Sequence, residues 1–265
     1  MLERKLFLSI APSWVWLLPL LPLGLATALY FGELQTTTFL LINRYTQILP
    51  DTLWTWFTFL GNGWGIFALC FPLLLVAPRL LCAGLLASSI GGIISQILKH
   101  LLNLPRPSSI LVPEDFYRIG EPLFYRAMPS GHTLTAFSVA AGIYFATQKN
   151  KRGSIWWIFI LASLSGISRN AVGAHWFTDV LAGCAIGLWS GMFGAVIAQF
   201  IPENQLKPNK IIPRLLALGG LASIYVLLSQ TLDSSLNQSL QYACALLVGI
   251  TFALFMKAQM PSKAS

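Results

Sequence analysis

Residues 178–200 read TDVLAGCAIGLWSGMFGAVIAQF, and after Asp179 the run carries no charged side chain. A hydrocarbon layer about 30 Å thick takes roughly 20 apolar residues as a helix to cross it. Lipid offers the backbone no hydrogen-bond partner, so such a run must satisfy its own amides as a helix. Working outward, comparable runs lie at 12–32, 54–77, 80–98, 132–148, 154–171, 211–230 and 239–256. The expected fold is all-α, a polytopic transmembrane helix bundle of eight spans. Six spans form a core, and two more follow the polar break from Pro202 to Lys210. The predicted organisation is an N-terminal span with an outward loop (1–53), a core (54–201) and a C-terminal helical appendage (202–265), together one membrane domain.

Composition agrees. Of 265 residues, 55% are hydrophobic and 10% charged, against about 25% charged in soluble domains. So few charges could not cover a water-soluble enzyme, and a disordered chain or disulfide scaffold is excluded as well. The net charge of +8 is spread as punctuation between apolar runs, with no basic face for nucleic acid. Cys70, Cys82, Cys184 and Cys244 sit inside apolar runs without a CxxC pair and read as small buried hydrophobes. Ala26, Thr27 and Ala28 imitate a signal-peptidase site, but the run is too long for a signal core and is read as a retained span.

Charge also orients the chain. If the spans alternate, one side holds Arg4, Lys5, Arg79, Lys149, Lys151, Arg152, Lys207, Lys210, Arg214, Lys257 and Lys263 against Glu3 and Glu203. The positive-inside rule places that side, with both termini, in the cytoplasm. Loops 99–131, 172–177 and 231–238 then face the periplasm or exterior; in a bacterium the protein would lie in the inner membrane.

Three outward segments concentrate polar groups: Lys99 to Arg106 and Pro107; Pro129, Ser130, Gly131 and His132; and Ser168 and Arg169, followed by His175 and Asp179. Lys99, Arg106 and Arg169 are three cations that repel unless an anion sits among them, and guanidinium forks suit phosphate oxygens. Ser130 and Gly131 read as a helix start, whose free N–H groups and dipole attract anions, with His132 in the first turn. His175 and Asp179, four residues apart, can share a helix face. A carboxylate on Nδ1–H would leave Nε2 free as a nucleophile. Taken singly, each piece has an ordinary explanation: a snorkelling Lys, a helix cap, an interfacial His. Their convergence on one side of the membrane is what points to phosphate chemistry.

Together the segments resemble the signature of the type-2 phosphatidic-acid phosphatase family. Its pattern is Lys, six residues, Arg-Pro; Pro-Ser-Gly-His; and Ser-Arg, five residues, His, three residues, Asp. Every fixed position matches across roughly residues 54–200: Lys99, Arg106 and Pro107; Pro129, Ser130, Gly131 and His132; Ser168, Arg169, His175 and Asp179. Two spans beyond the usual six would be a departure. The resemblance implies that His175 attacks phosphorus and forms a phosphohistidine, that Asp179 orients it, and that His132 serves as acid and then base. Lys99, Arg106, Ser130, Gly131 and Arg169 would hold the phosphate oxygens. No cofactor or metal is implied, because the cations replace one. The expected partners are a lipid phosphate and the bilayer.

The 108–128 loop repeats Phe116, Tyr117, Arg118 and Phe124, Tyr125, Arg126. It reads either as an interfacial aromatic belt or as a substrate lid whose Arg118 or Arg126 touches a second phosphate. The expected function is an integral-membrane lipid phosphatase. Candidate substrates are undecaprenyl diphosphate, phosphatidylglycerol phosphate, phosphatidic acid and lipid A. The alternatives are a phosphotransferase using the same site, a vanadium-dependent peroxidase, and a transporter. The last is disfavoured because the ionisable residues cluster at span ends rather than mid-membrane.

Overall fold

The computed structural model describes residues 10–259. Ten helices carry the architecture: α1 (Leu20–Phe31), α2 (Gln35–Thr46), α3 (Asp51–Phe59), α4 (Gly63–Cys70), α5 (Pro78–Leu102), α6 (Gly131–Ala146), α7 (Ile158–Ala171), α8 (Phe177–Gln199), α9 (Ile211–Ser229) and α10 (Gln238–Gln259). One-turn helices at Leu73–Val76 and Pro107–Ile110 join them. Among the described residues, five stretches are long and apolar enough to cross a bilayer: Ser13–Phe31, Pro78–Ile110, Phe177–Gln199, Glu203–Ser229 and Ser235–Gln259. Leu21, Ile93, Leu218, Tyr225, Leu246 and Ile250 stand exposed, as lipid-facing side chains do. The chain is an all-α integral membrane protein.

The expected eight continuous spans are corrected in one place and supplemented in another. The 54–77 run breaks into α3, α4 and the turn at Leu73–Val76. Asn62 starts α4 afresh, its Oδ1 accepting from Trp64 N at 3.0 Å, and Pro72 has no amide to continue the helix. The 132–148 and 154–171 runs fold as the shorter α6 and α7. The outward loop expected before residue 53 contains a helix, α2, whose Phe39 and Asn43 are buried. Arg4, Lys5 and Lys263, which entered the orientation argument, lie outside the described residues.

At the centre α5, α6 and α8 pack on one another. Small residues let their backbones meet, as helices in lipid do when packing drives association. A Cβ on Gly183 would lie 2.7 Å from Ser130 O, and one on Gly187 would lie 2.7 Å from both Leu134 O and Phe137 Cβ. A Cβ on Gly194 would stand 2.6 Å from Ala87 N. We predict that Gly187→Val forces α8 off α6 and costs at least about 1–3 kcal/mol. A lowered unfolding midpoint in detergent would show it, and an unchanged midpoint would refute this packing.

The outer helices complete the bundle. α1 packs on α8, α7 on α6 and α3, and α9 on α10. The α9–α10 hairpin is anchored: Phe71, Leu74, Ala217, Leu227, Cys244, Val248 and Phe255 share one apolar core with Phe59 and Leu81. The antiparallel order brings seven polar points to one end of the molecule. These are the C-termini of α5 and α7, the N-termini of α6 and α8, the α3–α4 break, the α9–α10 turn and the 103–130 loop; the last closes over the others.

Candidate functional site

Each candidate is placed by a local device. α5 ends just past Lys99 because Asn103 turns left-handed (φ 38°) and its N–H bonds to Lys99 O at 3.2 Å. That keeps the ammonium over the start of α6: a Cβ on Gly131 would be 3.4 Å from Lys99 Nζ. Ser130 sits at the N-cap of α6, but its side chain makes no capping bond; it accepts from Thr133 Oγ1 at 2.9 Å. Its own N–H goes to Asp179 O at 3.0 Å, which ties the starts of α6 and α8 together.

His175 lies just before α8 rather than on it. Trp176 is the N-cap and Asp179 the third helical residue. Asp179 Oδ2 accepts from Trp176 N at 2.9 Å and from His175 Nδ1 at 3.2 Å, so one buried oxygen both starts the helix and orients the ring. The loop behind needs Gly173, with φ +73° and no room for a Cβ beside the Phe116 ring. The amides of Ala174 and His175 both return to Arg169 O, at 3.0 and 3.2 Å.

The second ring nitrogen faces a cation: Arg106 Nη1 stands 3.1 Å from His175 Nε2. Since guanidinium can only donate, Nε2 holds the lone pair and Nδ1 the proton. The rest of Arg106 fastens the loop, donating to Ala174 O at 3.0 Å, Tyr125 O at 2.8 Å and Arg126 O at 3.3 Å. Burial, then the charges of Arg106, Arg169, Lys99 and His132, holds His175 well below the ordinary imidazole range. The ring is therefore neutral at neutral pH.

A cavity of about 320 Å³ reaches Ala174, next to His175, and is lined among others by Thr58, Arg118, Glu121, His132, Arg169 and Asp233, but not by His175, Arg106 or Lys99. Arg169 is buried and donates to Thr58 Oγ1 at 3.2 Å. Its buried Nε has no partner among the described residues, leaving a donor for an anion. Arg118 is on the cavity wall. Arg126 is outside the lining and meets the site through its carbonyl on Arg106. The two aromatic repeats are not equivalent: Phe116 is buried with Phe39, Ala127 and Trp176, whereas Phe124 and Tyr125 are exposed.

Sequence reading missed several residues. Asp233, from the α9–α10 turn, bonds His132 Nε2 at 2.9 Å. Asn62 Nδ2 donates to its other oxygen at 2.9 Å. Asn43 of α2 pins the loop to α7, donating to Asn170 O at 2.8 Å and Tyr117 O at 2.9 Å. The available signal was weak: Asp233 is the one acid in a short turn between two apolar runs.

The family model of the PAP2 superfamily matches residues 77–205. Over that segment, just under half of the chain, the sequence is similar to this superfamily. The chain is 41% identical over 76 residues to the lipid A 1-phosphatase of Porphyromonas gingivalis, a match that covers 28% of the chain and 16% of that protein's length. It is 27% identical over 206 residues to the undecaprenyl-diphosphatase of Sulfolobus acidocaldarius, covering 73% and 95%. The crystal structure of Aquifex aeolicus LpxE superposes with a TM-score of 0.52 at 29% identity, over 61% of this chain and 94% of that one. The matched PAP2 segment carries every signature residue but omits α2, most of the broken 54–77 run and the α9–α10 hairpin.

Proposed function

We propose that this protein is an integral-membrane lipid phosphatase, hydrolysing a phosphomonoester or diphosphate of a lipid through a phosphohistidine on His175. The observation that carries this reading is the buried Asp179–His175 pair with Arg106 at the free nitrogen. In the first step the Nε2 lone pair forms the N–P bond, the P–O bond to the lipid breaks, and the departing oxygen takes a proton from His132. Asp179 balances the charge gained by the His175 ring. In the second step His132 takes a proton from water, the oxygen of which attacks phosphorus as the N–P bond breaks. Lys99, Arg106, Arg169, Ser130 and the N–H of Gly131 hold the equatorial oxygens as charge shifts.

The named relatives and the site's place at the bundle end support a lipid substrate: undecaprenyl diphosphate, phosphatidylglycerol phosphate, phosphatidic acid or lipid A. Arg79, Lys149, Lys151, Arg152, Lys207, Lys210 and Lys257 lie toward the opposite end. The positive-inside rule therefore turns the site outward and the termini to the cytoplasm. In this division 54–201 is the reacting core. The deciding experiment is phosphate release from a panel of these lipids in detergent without an added acceptor. Release identifies a hydrolase. Phosphoryl transfer that needs a lipid acceptor would identify a transferase.

Arg118 on the cavity wall supports the lid reading and a second phosphate. The Arg118→Ala/Arg126→Ala double variant is expected to lose about tenfold more activity on a lipid diphosphate than on a monophosphate, as loss of charge-assisted contacts predicts. Equal kinetics on both substrates would end the lid reading.

A further inference from the structure

We infer that Asp233, carried by the C-terminal hairpin, is a positioning residue for His132, so that the hairpin completes the reacting site. The inference rests on the phosphatase reading and adds a residue outside the matched family segment. Its geometry is specific. Asp233 Oδ1 meets His132 Nε2 at 2.9 Å while Asn62 Nδ2 braces Oδ2 at 2.9 Å, so both carboxylate oxygens are engaged. The residue stands in the left-handed region, φ +61°, a conformation that persists where surroundings enforce it. The enforcement is visible. Gln241 donates to Gln230 O at 2.7 Å and accepts from Leu232 N at 3.2 Å, and Asn237 donates to Leu232 O at 3.1 Å. The turn is knitted on both sides of the aspartate, and Trp56 of α3 reaches across to Leu236 O at 3.4 Å.

An acid in an anion-binding cavity works against substrate binding unless it serves something else there. Burial works against the Asp233 charge, but His132, Arg169 and Asn62 outweigh it and hold the carboxyl below the usual carboxylate range. The anion faces His132, which also meets the positive field of Arg169 and Lys99. By accepting from Nε2–H, Asp233 favours the ring with both nitrogens protonated and leaves the Nδ1 proton free to be given. When the lipid P–O bond breaks, the Nδ1 proton passes to the departing oxygen. The ring is left neutral with Nε2–H still on Asp233, which remains an anion throughout.

A proton donor matters in proportion to how poor the leaving group is. The test compares Asp233→Asn, Asn62→Ala and wild type, as full-length protein in detergent, on phosphatidic acid and on p-nitrophenyl phosphate, whose phenolate departs without help. For Asp233→Asn we expect the rate of phosphoryl-enzyme formation from phosphatidic acid to fall about 10–100-fold and that from the aryl phosphate to fall less than about threefold, the water step that follows being common to both substrates. Asn62→Ala should show the same pattern at smaller amplitude, and Asp233→Glu should recover part of the loss. Equal loss on both substrates, or no loss on either, overturns the inference. If Asp233→Asn does not fold, the Asn62→Ala and Asp233→Glu ratios decide alone. His175→Ala, run beside them, separates the two readings: retention of lipid activity in that variant sinks the phosphatase reading itself, whatever Asp233 does.

Discussion

His175→Ala is expected to abolish phosphate release from every lipid substrate, by at least about 10³-fold, while the protein stays folded. The ring is 2% exposed and has no neighbour of similar chemistry at Nε2, only the Arg106 guanidinium. Nothing nearby could take over N–P bond formation. Wild type quenched during turnover of a labelled substrate should carry a phosphoryl group that survives alkali and is lost in acid; the variant should carry none. The pH dependence follows from the ring's surroundings. Burial and four positive or protonatable neighbours keep His175 neutral to well below pH 6.5, and protonation removes the nucleophile. The acid limb of kcat/KM, which reports the free enzyme, should therefore lie below pH 6.5 for substrates that do not themselves titrate there. An acid limb at or above the ordinary imidazole value, or residual turnover in the alanine variant near wild type, would rule out this nucleophile.

What sequence could and could not reveal divides along physical lines. Lys99, Arg106, His132, Arg169, His175 and Asp179 were legible because each sits at the end of a long apolar run. The topology of such runs already fixes which end of the bundle they share. The glycines of α8 contribute to that legibility, since Gly183 and Gly187 admit the backbone of α6 and set the start of one helix against the start of the other. α2 was not legible. Its Gln35, four threonines, Asn43 and Arg44 make no apolar run, and it is held instead by tertiary contacts, Phe39 among Phe116 and Trp176 and Asn43 on Asn170 O. The break at Asn62 was hidden for the opposite reason. A window wide enough to find a span averages over one polar residue, and that residue turned out to cap α4 and to brace Asp233. The Asp233–His132 bond joins residues 101 apart, a pairing that no local spacing announces.

Asp179→Asn separates orientation from charge, because one oxygen does both structural jobs. Oδ2 accepts from Trp176 N and from His175 Nδ1. An asparagine that keeps its carbonyl oxygen in that place preserves the start of α8, the ring plane and the Nδ1–H tautomer, and loses only the negative charge. Mere positioning by Asp179 would leave such a variant close to wild type. Three cations crowd the same space, however, and in the proposed mechanism the His175 ring gains a positive charge as Nε2 bonds to phosphorus. Without the Asp179 anion that charge develops in a buried, uniformly positive setting, where uncompensated charge is costly. The expected result is a fall in kcat of about 10²–10³-fold with little change in KM, since the cations that meet the substrate are untouched. The phosphoryl-enzyme should form slowly rather than fail to break down, because the lost charge is needed when the bond to His175 forms. A thermal midpoint close to wild type would show that the capping bond survives. Full activity in that folded variant would mean that the carboxylate is a helix cap and nothing more.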